Sequence, residues 1–346
     1  MLPYLLVLGF VVFWIILEQK SLNRKAFLLP FIALSVFAGI RSFRVGTDAG
    51  NYTKEFRSQL SIYNFQFNET VEIGYQLLEY LLLRMTNEYF WLFLTTGLIV
   101  VYCYLSIIKK YSVNYGFSVF LFVTLGVYTF FFNGLRQGLA MAVFALALPY
   151  LLEKRLIPYL LLVFLASLFH VSALFMIPFY FLVNLKVKLE YKFIATLIGS
   201  LLVSRFLISY IASTNERYES YTATSESAGG LLTLGFYILI LVFIYLTANI
   251  YKIRDEDFKK LFTFYGVGVL FLIPVAMLGA NPSGPQRLLT YFTWTLVLIL
   301  PVIFKKINNI YITSISAILF IVYFILTTTR FSNLTPYMIN PIFEIF

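Results

Sequence analysis

The chain is 346 residues long, 60% hydrophobic and only 12% charged. That balance excludes a globule solvated by water on its outer faces and places the chain among polytopic membrane proteins. The net charge of +10 is spread over short breaks between apolar runs, so it forms no basic face for nucleic acid and instead orients the chain in a bilayer.

In chain order, apolar segments fall near residues 2–17, 26–40, 89–108, 115–132, 137–152, 156–169, 171–185, 192–211, 231–251, 261–279, 288–304 and 309–328. Read against the ~20 residues a span needs, they predict an all-α polytopic membrane protein of about twelve transmembrane helices. Residues 1–346 are expected to form a single integral-membrane domain. The first segment has no basic leader and no small-x-small cleavage site, so it reads as a retained span. Residues 73–86 are apolar but carry Glu79 and Arg84, which predicts a short re-entrant or interfacial helix. The stretch from Leu156 to Leu185 has His170 at its midpoint and basic flanks. That pattern predicts two short helices meeting at the histidine. Cys103 is the single cysteine, so no intrachain disulfide forms.

Alternating the breaks from side to side sorts the charges. One side receives 16 of the 26 cations and six of the 16 acids, and the positive-inside rule makes it cytoplasmic. Both termini then lie outside. The outer segments are the longer ones, with extracytoplasmic loops expected at 41–72, 212–230 and 280–287. The two basic residue types separate as well. Thirteen of 14 lysines lie inside, whereas nine of 12 arginines lie outside. Lysine is a hydrated point charge, but arginine is a planar fork matched to phosphate or carboxylate oxygens. An outer face that prefers arginine implies a phosphate-bearing ligand presented there.

Four constellations on that face carry candidate chemistry. The first runs from Arg41 through Arg44, Thr47 and Asp48 to Tyr52, with Gly46 and Gly50 between. Tyr52, Phe56, Leu60 and Tyr63 then follow at the spacing of an amphipathic helix in the interface. The second is Asn133-Gly134-Leu135-Arg136-Gln137, at the start of a helix whose N-terminal amides suit an anion. An arginine at a membrane boundary costs free energy unless it meets a polar cavity or an anionic partner. The third is His170, the only histidine, whose imidazole exchanges a proton near neutral pH. The fourth is Gly279 to Arg287 with Tyr291 one turn beyond, and Arg330 closes the last span in the same way. Arg136 and Arg287 are expected to clamp one pyrophosphate, with Arg41 or Arg44 on a second lipid substrate. His170 or Asp48 is the expected base.

No cofactor or metal is expected. One histidine and one distant cysteine cannot supply three zinc ligands. Asp255-Glu256-Asp257 has a D-x-D spacing, but its lysine and arginine neighbours make it a solvated loop of mixed sign. There is no Walker motif and no dinucleotide fingerprint.

Together these motifs resemble the EpsG family of Wzy-like membrane proteins in bacterial polysaccharide synthesis. The resemblance rests on Arg41 to Tyr52 with its G-T-D core, Glu72-Ile-Gly74-Tyr75, Asn133 to Gln137, His170-Val-Ser172-Ala173-Leu174, and Arg287 with Tyr291. It implies a GT-C-like membrane glycosyltransferase bundle without a Rossmann domain. The implied activity is polymerisation of undecaprenyl-pyrophosphate-linked oligosaccharides at the extracytoplasmic face of the bacterial inner membrane. A lipid-linked glycan donor and acceptor, the bilayer and other polysaccharide-assembly proteins are the implied partners. Glu72 and Gln137 join the substrate-binding residues through the same motifs. A membrane O-acyltransferase and a non-enzymatic lipid-linked sugar flippase are the rival readings, and the one-sided arginines weigh against each.

Overall fold

Apolar runs with few breaks wind into long helices, because a chain in lipid must satisfy its own backbone. The computed structural model describes residues 1–58, 65–214, 229–277 and 285–343. Leu60, Tyr63 and Arg217 lie outside the described residues, as do parts of the expected outer loops, at 59–64, 215–228 and 278–284. Among the described residues, five helices are long and apolar enough to cross a membrane: Leu2–Leu22, Phe90–Tyr111, Leu231–Ile250, Glu256–Met277 and Ile310–Arg330. Gln286–Thr293 and Leu296–Ile307 make a sixth span if the pair, bent by 48°, is counted as one. Several shorter apolar helices complete an all-helical, polytopic membrane protein.

The expected spans at 115–132 and 137–152 are divided. Helix Tyr115–Thr124 ends just before Gly126, whose φ of 77° no helix accommodates. A single turn, Phe130–Asn133, and the cap residue Gly134 then precede helix Leu135–Ala145. The stretch from Leu156 to Leu185 also breaks: helix Leu156–Ser167 stops before His170, and a 3₁₀ turn leads into Ile177–Asn184. Of the broken pieces, Leu135–Ala145 is fully covered, since every residue of it is buried. Irregular backbone at membrane depth is tolerated where protein surrounds it.

The chain divides into two compact units. The first comprises Met1–Pro149, Ile157–Leu174 and Asn309–Phe346. Within it, Leu135–Ala145 packs on Phe90–Tyr111, which also packs along Leu28–Gly39. Leu2–Leu22 and Ile310–Leu326 pack on Tyr115–Thr124 and expose Leu2, Leu6, Phe13, Ile315, Ile318 and Leu319 on their outer sides. Exposed aliphatic rows of this kind suit lipid tails rather than water. The C-terminal tail folds back, with Ser42 N–H donating to the Met338 carbonyl and Asn340 N–H to the Ile40 carbonyl, each at 2.8 Å. The Tyr337 ring stacks on Phe37 at 4.3 Å.

The second unit comprises Tyr150–Leu156 and Phe175–Asn308. Glu256–Met277 is a largely enclosed helix of this unit and packs against Leu189–Thr214, Gly229–Ile250, Ile177–Asn184 and Leu296–Ile307. Asp255 of the D-x-D run accepts from Phe258 N–H at 2.7 Å and so caps that helix.

Candidate functional site

Arg136 is the second residue of helix Leu135–Ala145, where the positive end of the helix dipole favours an anion. Its guanidinium pairs with Glu72 at 2.5 Å, and the two side chains are only 9% and 12% exposed. The other Glu72 oxygen accepts from Val171 N–H at 3.2 Å. One carboxylate thus joins the arginine helix to the break that follows His170. A second bond reinforces the joint, from Gly74 N–H to the Leu168 carbonyl at 2.8 Å. A Cβ on Gly74 would lie 2.7 Å from that carbonyl oxygen, so no larger residue fits without displacing the break.

His170 is half-buried, and its Nδ1 accepts from Ser172 N–H at 3.2 Å. An amide only donates, so Nδ1 carries the lone pair and a neutral ring holds its proton on Nε2. Nε2 is then the donor nitrogen of the ring.

The G-T-D loop is tied to the same helix start. Asn133 Oδ1 accepts from Thr47 N–H at 2.9 Å, and Asn133 Nδ2 donates to the Ser332 carbonyl at 2.9 Å. Gly46 has a φ of 108°, and a Cβ there would lie 2.7 Å from both Asn133 Oδ1 and the Phe132 carbonyl oxygen. Arg44 and Thr47 are exposed, and Asp48 immediately precedes the single turn Ala49–Tyr52. The Tyr52 ring meets Tyr75 edge-on at 5.9 Å, and the Tyr75 ring lies 6.0 Å from the Arg136 guanidinium. Gln137 is buried beside Arg136 in sequence. The structure therefore gathers Glu72, Arg136 and the His170 turn, with Tyr52 and Thr47 linked to them through Tyr75 and Asn133.

Of the other expected residues, Arg41 and Tyr291 are enclosed, while Arg287 and Arg330 are not. Arg41 is fully buried, its guanidinium 3.7 Å from the centre of the Phe93 ring and 4.2 Å from that of Phe132, and it donates to the Ala38 carbonyl. It packs the unit's interior and offers no surface to a substrate. The amphipathic helix expected from Tyr52 onwards breaks at Thr53 into Ala49–Tyr52 and Lys54–Arg57. Arg287 is half-buried in the 3₁₀ turn Pro285–Leu289, and Tyr291 is fully buried in Thr290–Thr293, both in the second unit. Tyr291 therefore has no face for a ligand. Arg330 is exposed in the turn Thr327–Phe331 at the end of the last long helix.

Glu79 was not among the expected site residues. It is buried on the Ile73–Leu83 helix, which is too short to span, and burial pushes its carboxyl up to about 7. The signal for it was present, since Glu72, Gln76 and Glu79 recur at i, i+4 and i+7 and so share one helix face.

A family model described as EpsG family matches residues 24–339, nearly the whole chain. The chain belongs to the EpsG family. EpsG is a Wzy-like polymerase family, which makes the protein, at that coarse level, a glycosyltransferase-type membrane polymerase. No curated protein and no solved structure matches the chain. In this EpsG-family chain the first unit supplies an arginine fork fixed by a carboxylate, a helix N-terminus and an imidazole donor. Those groups suit an anion that gains charge during reaction.

Proposed function

We propose that the protein polymerises undecaprenyl-pyrophosphate-linked oligosaccharide repeat units into surface polysaccharide on the extracytoplasmic face of the inner membrane. The observation that carries this reading is the enclosed Arg136, held by Glu72 at a helix start. In this reading the glycosidic bond to the lipid pyrophosphate breaks, and negative charge grows on the leaving oxygen. A preorganised guanidinium stabilises that charge without reorganising at the moment of reaction. His170 donates from Nε2 to the same pyrophosphate, in place of the base role its titration range suggested. Arg44, Thr47 and Asp48, on the accessible loop, receive the second lipid-linked unit.

Arg287, in the 3₁₀ turn Pro285–Leu289 of the second unit, is a further anion-binding candidate. The same reading includes about twelve membrane crossings, a GT-C-like bundle, both termini outside, and chemistry that draws on arginine rather than a metal. Other polysaccharide-assembly proteins act beside it.

Arg136→Lys tests the reading, because lysine keeps the charge and loses the fork. Polymer formation is expected to fall about 10²-fold, read as loss of long chains on gels of cell-surface polysaccharide. Arg287→Lys is run beside it. Unchanged chain length in Arg136→Lys would remove the pyrophosphate role. Acetylated product without polymer from the unaltered protein would turn the reading to an O-acyltransferase.

A further inference from the structure

The Ile73–Leu83 helix carries a polar row on an otherwise apolar run, and its members differ in how they are satisfied. Glu72, at the cap, is held by Arg136 and by Val171 N–H. Gln76 is satisfied locally: it accepts from Asn68 N–H at 2.6 Å and donates to the Asn68 and Val71 carbonyls at 2.8 and 2.7 Å. Glu79 is 8% exposed, yet among the described residues no hydrogen bond or ion pair reaches its carboxylate. Burying a carboxyl without a partner is costly, and a fold that merely needed a filled position would place an apolar residue there.

Its position gives the cost a use. Glu79 stands one turn beyond Tyr75, whose ring lies 6.0 Å from the Arg136 guanidinium. It is two turns from Glu72, roughly 10 Å along the helix. The charged groups acting on it are Glu55, from the Lys54–Arg57 turn, and Arg136.

We propose that Glu79 takes the proton from the attacking sugar hydroxyl. This assignment rests on the polymerase reading. The hydroxyl oxygen of the incoming unit bonds to the anomeric carbon of the growing chain. The bond from that carbon to the pyrophosphate oxygen breaks, and its electron pair leaves on the lipid pyrophosphate at Arg136. The hydroxyl proton passes to the Glu79 carboxylate and is later released to water. Burial foremost, with the Glu55 charge, pushes the Glu79 carboxyl up to about 7 against the pull of Arg136. That is the range in which a carboxylate both ionises at working pH and accepts a proton effectively.

The test uses full-length protein in lipid nanodiscs. Its probe is the lipid-linked oligosaccharide pool extracted from host cells deleted for this chain. Wild-type polymerisation is expected to rise with pH through about 7. Glu79→Gln should slow it about 10²-fold or more while the extracted pool still binds, followed by native mass spectrometry. Glu79→Asp should recover part of the rate with a displaced pH profile. A folded Glu79→Gln or Glu79→Asp protein with the wild-type rate and profile overturns the assignment and leaves the polymerase reading standing. A wild-type protein that binds the pool and forms no polymer removes the polymerase reading, and the assignment with it.

Discussion

A guanidinium in a membrane protein is tolerated when something local compensates for the water it has lost, and the first unit solves that problem in two ways. At Arg136 the compensation is a carboxylate: Glu72 pairs with it in a nearly enclosed setting. At Arg41 it is two phenyl faces and a carbonyl. The first arrangement leaves a charge poised at a helix start, while the second seals the charge away, so of these two arginines Arg136 is the one proposed to meet a ligand. The Glu72 pair should therefore be costly to break from one side. Glu72→Gln keeps the shape and removes the charge, and it is expected to lower stability by about 3 kcal/mol, measured by thermal unfolding in detergent. Adding Arg136→Gln should restore part of that loss, because the orphaned charge goes too. A double variant no more stable than the additive sum would mean that the two side chains do not act as a pair.

At the level of elements, the breaks matter more than the helices. The long helices follow from hydropathy and length alone, and the break at His170 follows from basic flanks on either side of an apolar run. The Glu72–Arg136 pair, 64 residues apart, was not legible as a pair, because periodicity reports which face a residue takes and not which distant face it meets. Among the described residues, the helix expected from Tyr52 onwards is interrupted at Thr53 for a local reason. The Thr53 hydroxyl bonds back to the Ala49 carbonyl, and Arg57 turns back onto Thr53 Oγ1 and the Gly50 carbonyl. Such side-chain bonds compete with helix propagation. Glu79 went unread because a polar row on a short apolar helix also describes an interfacial segment. The loop at Gly46 offers a direct test of how the G-T-D run is held. With a φ of 108° and contacts of 2.7 Å awaiting any Cβ, Gly46→Ala should displace Thr47 from Asn133. The expected cost is about 1–3 kcal/mol, with polymer yield falling while Arg136 and Glu72 are intact. A Gly46→Ala protein with wild-type melting and wild-type polymer would show that the loop re-forms freely.

For the whole molecule, the separation of lysine from arginine now has a structural counterpart. Lys25 donates to the Lys109 carbonyl at 2.6 Å, Lys192 to the Val183 carbonyl at 2.6 Å, and Lys260 to the Leu152 carbonyl. A flexible ammonium suits carbonyls at helix C-termini, where orphan acceptors and the negative end of the dipole coincide. These lysines belong to the side that the charge count makes cytoplasmic, so they close helix ends as well as orient the chain. Arg136, by contrast, opens a helix, where its charge adds to a positive dipole and is favourable only with an anion close by; Glu72 supplies one, and a phosphate would supply more. In these four residues lysine closes helix ends and arginine opens one, and the proposed orientation is testable in one experiment. In a Cys103→Ser background, Thr70→Cys and Lys110→Cys place single thiols at exposed positions on opposite sides of the proposed topology. A membrane-impermeant maleimide should label Thr70→Cys in intact spheroplasts and Lys110→Cys only after permeabilisation. The reverse pattern would put the arginine face in the cytoplasm, where a polymerase acting on exported lipid-linked units could not meet its substrate.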